Sequence, residues 1–180
     1  MTEPARSSSA HYCEGFAPIL SGKDRVLVLG TMPSVRSLAD AFYYAHPRNA
    51  FWPIMADCLN EPGLAEASVS QKKQTLQAHG IALWDVLAAC ERPGSLDAAI
   101  TSPEANDFEA LFEIHSGIKQ VLFNGQKAQQ LFQRWVMRHQ SLPDHLDYHV
   151  VPSTSPANAR LSFENKRDFW CQTLSHIPVK

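Results

Sequence analysis

The sequence has no apolar run long enough to cross a bilayer and no signal-peptide pattern, so neither an anchor nor a secretory leader is expected. Its four cysteines, Cys13, Cys58, Cys90 and Cys171, stand far apart without a CxxC pair. That spacing suits neither a zinc site nor an iron–sulfur cluster, and reads as four reduced thiols in a cytoplasmic protein. No glycine-rich phosphate loop occurs, which weakens a reading as a small nucleotide-binding module. No internal repeat is visible. Charge is also scarce: 16 basic against 18 acidic side chains give a net charge of -2. No global field pulls such a chain onto nucleic acid, so any phosphate contact must come from a local patch. His145 and His149 lie four apart, but His149 falls in a predicted strand, where that spacing does not converge. Neither a metal nor another cofactor is expected.

What the chain does have is enough apolar content, 44% of 180 residues, for one domain with a sizeable core. Residues 1–10 are Ser-rich and polar and read as a disordered arm, leaving 11–180 as a single domain. The organising stretch runs from Val26 to Trp52. Val26 to Leu29 is a short branched apolar run, the mark of a strand buried on both faces. Gly30 ends it, and Thr31-Met32-Pro33-Ser34 forms a constrained loop. Phe42, Tyr43, Tyr44, His46, Arg48 and Asn49 then crowd into one patch, more rings than an ordinary loop exposes. Such a set can line a site and bind a planar ligand by stacking and hydrogen bonding. Phe51, Trp52, Met55 and Leu59 recur at helical spacing and end at Asn60 to Gly63.

Further along, Ser68 to His79 predicts an amphipathic helix capped by Gly80. Ile81 to Val86 predicts a strand with Asp85 near its end, where a buried carboxylate must be paired or functional; a structural cap for the next loop is the competing role. That loop, with Arg92, Pro93, Gly94, Ser95 and Asp97, reads as polar and exposed. Glu104 to His115 predicts a helix, Lys119 to Asn124 a strand, and Gln126 to His139 a second amphipathic helix. Asp147 to Pro152 predicts the fourth strand. The loop Pro152 to Arg160, PSTSPANAR, follows, stiffened by its prolines and rich in hydroxyls and amides that can grip phosphate oxygens. A final helix turns Phe163, Trp170 and Leu174 inward. Alternating strands and helices predict an α/β fold, three-layer α/β/α around a central four-stranded parallel sheet. Ligands of such sheets bind beyond the carboxyl ends of the strands, where Gly30 to Ser34, Asp85, Asn124 and Pro152 to Asn158 all fall.

GTMPS, a spacer and YYAHPRNAFW resemble the first motif of the uracil-DNA glycosylase superfamily, and PSTSPANAR resembles its second. The likeness runs from Val26 to about Trp170 and is greatest to the hypoxanthine-DNA (deoxyinosine) glycosylase branch, relatives of the mismatch-specific uracil enzymes. It implies a uracil-DNA glycosylase-like fold and a DNA repair enzyme that hydrolyses the N-glycosidic bond of a flipped deaminated base. Hypoxanthine is favoured and uracil possible. The expected partner is double-stranded DNA with a deaminated or mismatched base, bound by a monomer. Two positions depart from the mismatch-specific branch: Met32 replaces its catalytic Asn, and Val151 stands where relatives carry Asn or His. Neither side chain can orient water, so the resemblance places that role on Asn49.

The chemistry assigns the remaining candidates. Base cleavage builds positive charge on the sugar and negative charge on the leaving base. Tyr44 offers a face to the flipped base, Asp85 an acceptor for a base N–H, and the amides of Thr31 and Met32 stabilisation of its carbonyl. Ser153, Thr154, Ser155, Asn158 and Arg160 are expected at the DNA, with Arg36, Arg48, Lys166 and Arg167 completing a basic strip. His46 and Asn124 are supporting residues, His46 by orienting its loop. A non-catalytic binder of damaged DNA, its first-motif Asn lost to Met32, is the alternative function. An intact HPRN segment favours the enzyme.

Overall fold

A computed structural model describes residues 10–177. The expected arm over 1–10 therefore lies, except for Ala10, outside the described residues.

In chain order the elements are β1 (Tyr12–Glu14), β2 (Val26–Gly30), α1 (Val35–Asp40), α2 (Phe51–Cys58), α3 (Val69–Ala78), β3 (Ile81–Asp85) and β4 (Leu87–Glu91). They continue with β5 (Thr101–Ala105), α4 (Phe108–Ile114), β6 (Gln120–Asn124), α5 (Gln126–Phe132), β7 (Asp147–Val151) and α6 (Phe163–Ser175). A π-helical turn, Gln133–Met137, extends α5. The central sheet has four strands in the order β3-β2-β6-β7, paired in parallel throughout.

Side-chain alternation along the strands divides the core. Leu27, Leu29, Ala82, Val121 and Phe123 face one layer with Phe108 and Phe112 of α4 and Ala128, Leu131 and Phe132 of α5. Val26, Val28, Ile81, Leu83 and Leu122 face the other, against Phe51 and Ile54 of α2, Leu76 of α3 and Trp170 of α6. Covering both faces is what makes β2 apolar at every position but its last, so the expected three-layer architecture is present. Helix starts follow the local chemistry. Ser34 and Ser162 accept from the amides of Ser37 and Asn165, and Ser68 forms a capping box with Gln71.

Several sequence expectations need correction. A second sheet, β1-β4-β5, is antiparallel and flanks the main one. Its β5 takes up Glu104, so the helix expected from that residue begins only at Phe108, where Asp107 caps it. Phe163, expected inward, is exposed in the first turn of α6 with the Arg167 guanidinium 5.9 Å from its ring centroid. Four free thiols were also expected, whereas Cys58 at the end of α2 and Cys171 in α6 form a disulfide, with Cα atoms 4.8 Å apart. Their sequence separation of 113 residues hid the pairing. Cys13 and Cys90 remain free. No described helix is long and apolar enough to cross a membrane.

Candidate active site

The carboxyl ends of β2, β3 and β6 and the loop after β7 open onto a cavity of about 370 Å³. Gly30, Thr31, Tyr44, Asn49, Asp85 and Asn124 all line it, together with Ser153, Thr154, Ser155 and Asn158. Residues singled out from separate stretches thus meet at one sheet edge. His46 and Arg160 do not line the cavity.

Gly30 is required by space. A Cβ there would come within 2.5 Å of Asp85 Oδ1 and 2.9 Å of the Tyr44 hydroxyl. The end of β2 is in register with the end of β3, Gly30 opposite Asp85, so a small residue on one strand makes room for the carboxylate of the next. Asp85 is buried at 3% exposure, and its Oδ2 has no hydrogen-bond partner; the Tyr44 hydroxyl is likewise buried and unpartnered. Desolvation, then the charge of Asp97, push the Asp85 pKa up to about 7, with Arg92 opposing. The same desolvation and the charge of Asp85 push the Tyr44 phenol upward, with Asn124 acting the other way. The cap role considered for Asp85 is carried by neither of these features. Instead its backbone carbonyl accepts from Asn106 Nδ2 at 2.8 Å.

Tyr44 sits in the left-handed region, φ 54°, and stacks on Phe51 with centroids 4.3 Å apart. A tyrosine held there by core packing is a strained residue kept at a site. Of the other rings in this patch, Phe42 is buried in the core, and Tyr43, also buried, donates to Ala17 O and is among the residues lining the cavity. Met32 is buried at 6% exposure with its side chain in the core, which leaves its backbone to face a ligand. Asn49 Oδ1 accepts from Phe51 N at 2.9 Å, tying the amide to the start of α2. His46 makes contacts within its loop: its Nδ1 accepts from Arg48 N at 3.1 Å, and its carbonyl from Asn49 N at 2.9 Å.

The second loop is clamped from below. Asn124 Nδ2 donates to Thr154 Oγ1 at 2.9 Å, and Asn124 Oδ1 accepts from Thr154 N at 2.9 Å. Thr154 O in turn accepts from Ala50 N at 3.0 Å, which joins the two loops. Gly125, at φ 96°, passes so close that a Cβ would lie 2.9 Å from Ser153 Cβ. These contacts correct one expected DNA contact: Thr154 is 1% exposed with its hydroxyl already engaged, so it braces the loop and does not meet phosphate. Lys166 is similarly inside, donating to Asn158 O at 2.6 Å, and Asn158 Nδ2 holds Ser153 O at 3.1 Å. Arg36 pairs with Asp40, and Arg167 with Asp57 and Asp168. Arg48 and Arg160 are exposed at the two loops.

The loop after β4 is the larger surprise. Pro93, Gly94 and Ser95 are exposed as expected, but Arg92 and Asp97 tie the loop to the first-motif loop. Arg92, 4% exposed, donates through Nη1 to Met32 O at 3.5 Å, through Nη2 to Pro33 O, and through Nε to Gly94 O at 2.9 Å. Val35 N donates to Ser95 Oγ at 2.9 Å, and Thr31 Oγ1 to Asp97 Oδ1 at 2.7 Å. Ser95, Leu96 and Asp97 thereby become a cavity wall. An Arg and an Asp flanking a Pro-Gly turn were the signal available in the sequence. Nothing in that spacing says which loop they would grip. Among the described residues no group of three or more His, Cys, Asp or Glu could hold a metal ion.

Comparison with known proteins agrees with this arrangement. A family model described as the uracil DNA glycosylase superfamily matches residues 18–174. A hypoxanthine DNA glycosylase of Methanosarcina acetivorans is 34% identical over 164 residues, 90% of this chain and 98% of that protein. One from Methanosarcina barkeri is 29% identical over 163 residues, 89% of this chain and 97% of the relative. The NMR structure of a candidate uracil DNA glycosylase from Methanosarcina acetivorans superposes with a TM-score of 0.78 at 32% identity, covering 92% of this chain and 98% of the other. With the family model spanning both motif loops and every strand of the central sheet, the chain belongs to the uracil DNA glycosylase superfamily.

Proposed function

We propose that this DNA glycosylase excises hypoxanthine, and uracil more weakly, from double-stranded DNA as a monomer without metal or other cofactor. The observation that carries the reading is the pair of buried, unpartnered groups at the cavity floor, Asp85 Oδ2 and the Tyr44 hydroxyl. Unsatisfied buried polar atoms are costly and are retained where a ligand completes them. A carboxylate accepts an N–H and a phenol donates to a carbonyl, so together they match a lactam edge, N1–H beside C6=O in hypoxanthine. Adenine presents the reverse pattern, an acceptor at N1 and an amino donor at C6. In the same position it would set its N1 against the Asp85 carboxylate, acceptor against acceptor, and that mismatch discriminates against adenine. Uracil offers the same lactam edge on a smaller ring. The curated relatives named for hypoxanthine support the purine.

In this reading the nucleotide is extruded from the duplex and the base enters the cavity with its lactam edge toward Asp85 and the Tyr44 hydroxyl. The amides of Thr31 and Met32 stabilise its carbonyl as charge moves onto the departing ring, and Asn49 orients water toward the sugar. The test is single-turnover incubation with duplexes carrying hypoxanthine, uracil, xanthine or thymine, followed by alkaline cleavage of abasic sites, with and without chelator. Strand scission greatest for hypoxanthine and indifferent to chelator is the expected result. No scission on any duplex would overturn it.

DNA is held here by few charges. Arg48 and Arg160 are exposed cations at the two loops, and Ser153 and Ser155 add neutral contacts. Each neutralised phosphate contributes roughly -0.9 to the log–log salt slope, so the slope should be shallow. Arg160→Ala is expected to make it shallower by about 1 and to weaken binding at low salt. A salt series giving the same slope for both proteins would remove Arg160 from the DNA face.

A further inference from the structure

We infer that Asp97 is a further catalytic residue, a general acid that protonates hypoxanthine at N7 as the base departs. The inference rests on the proposed purine substrate and deepens it. Asp97 lines the same cavity as Asp85 but reaches it from the opposite loop, the one that Arg92 fastens to Met32 and Pro33. Thr31 Oγ1 engages Asp97 Oδ1 at 2.7 Å, which fixes the carboxyl and leaves Oδ2 as the oxygen able to carry a proton.

Two carboxyls facing one confined cavity resist holding two negative charges at once, so ionisation of one favours a proton on the other. The groups around it are Asp85, with Tyr43 and Tyr44 beside it, Arg92 on the loop itself, Lys127 from α5, and the Cys90 thiol in β4. Both carboxyls are displaced upward mainly by desolvation; Arg92 acts against this at each, and at Asp97 the Thr31 hydrogen bond and Lys127 do so as well. Bound hypoxanthine decides which carboxyl ionises. Its N1–H needs an ionised acceptor, which places the negative charge on Asp85 and leaves the proton on Asp97.

The step balances. The Asp97 O–H proton passes to N7 while the C1′–N9 bond breaks, and that bond's electron pair is taken into the ring, so hypoxanthine leaves as a neutral N7–H tautomer. Water forms the new C1′–O bond, and its proton returns through solvent to the Asp97 carboxylate. A pyrimidine has no N7, so this assistance favours purines beyond what the lactam edge provides.

The test uses Asp97→Asn, which can still accept from Thr31, and a duplex containing 7-deazahypoxanthine, which presents the same lactam edge without N7. Wild type is first assayed on the hypoxanthine duplex; absence of excision there refutes the proposed function and not this inference alone. Given excision, Asp97→Asn should lower the single-turnover rate about 10²-fold or more and abolish the alkaline limb of its pH profile. Affinity for the 7-deaza duplex should stay within about threefold of wild type. Wild type should bind that duplex but cleave it at least about 10²-fold more slowly, a result that stands even if the variant does not fold. A variant that keeps the rate and the alkaline limb, or wild type that excises 7-deazahypoxanthine at the hypoxanthine rate, overturns the assignment.

Discussion

Replacing Asn49 with alanine is expected to lower the single-turnover rate of base excision about 10²-fold or more while duplex affinity stays within about threefold. The reason is where the amide stands. Asn49 lines the cavity, and its Oδ1 is anchored by Phe51 N at the start of α2. That hydrogen bond fixes the amide and points its oxygen at the helix, so the side chain is oriented before any substrate arrives. An amide cannot deprotonate water, but it can hold water and place dipoles beside a sugar that becomes cationic, an interaction made chiefly in the transition state. Alanine also removes the hydrogen bond from Phe51 N, a loss of about 1 kcal/mol in stability. Asn49→Asp separates the two effects, because a carboxylate keeps the acceptor for Phe51 N and loses the amide donors. An Asn49→Ala enzyme with a near-native rate would move the water-placing role elsewhere in the cavity.

Asp85→Asn is expected to lower kcat/KM for hypoxanthine about 10²-fold or more and, at pH 8, to raise the melting temperature by a few degrees. The loss follows from replacing an ionised acceptor with a neutral amide opposite the base N–H. The gain follows from linkage. The folded-state pKa of Asp85, about 7, lies above the ordinary carboxylate value, so the native chain binds this proton more tightly than the unfolded chain. The neutral carboxyl's contribution is fully present below the unfolded pKa of about 4 and is lost as pH rises toward 7. Above that, an ionised and unpartnered carboxylate opposes folding. Asparagine carries no such charge, so the variant's advantage should grow between about pH 4 and 7 and level off above. Thermal unfolding of both proteins across this range measures it. Equal melting temperatures at pH 8 would mean that Asp85 already has a partner in solution. A substitution that stabilises the fold and removes activity marks a residue kept for function at the expense of stability.

The two carboxylates differ in how far the sequence could place them. Asp85 ends a predicted strand of a parallel sheet, and the carboxyl end of such a strand faces the ligand crevice, so its position followed from local pattern and topology. The same reasoning reached Gly30 and Asn124, each at a strand end, whereas Tyr44 stood out in the aromatic patch and Asn49 through the family resemblance. The layers of the fold were legible too, because strands buried on both faces must be apolar throughout and helices covering them must carry one apolar stripe.

Asp97 was not legible in this way. It sits in a polar loop whose path depends on Arg92 finding the carbonyls of Met32 and Pro33 some 60 residues earlier. The three-stranded side sheet escaped for a similar reason, since β1 and β4 pair across 77 residues at Cys13 and Cys90, and β5 is a polar strand without alternation. Thr154 and Lys166 were read as surface groups from their chemistry alone; their burial came from Asn124 and Asn158, partners supplied by other segments. The Cys58–Cys171 bond likewise required α2 and α6 to pack side by side. The sequence by itself determined the alternation of elements and the strand ends at which the site lies, because both follow from short-range periodicity. Which polar groups were buried, paired or left open in that site was decided only by the tertiary structure, because desolvation and hydrogen bonding depend on neighbours far away along the chain.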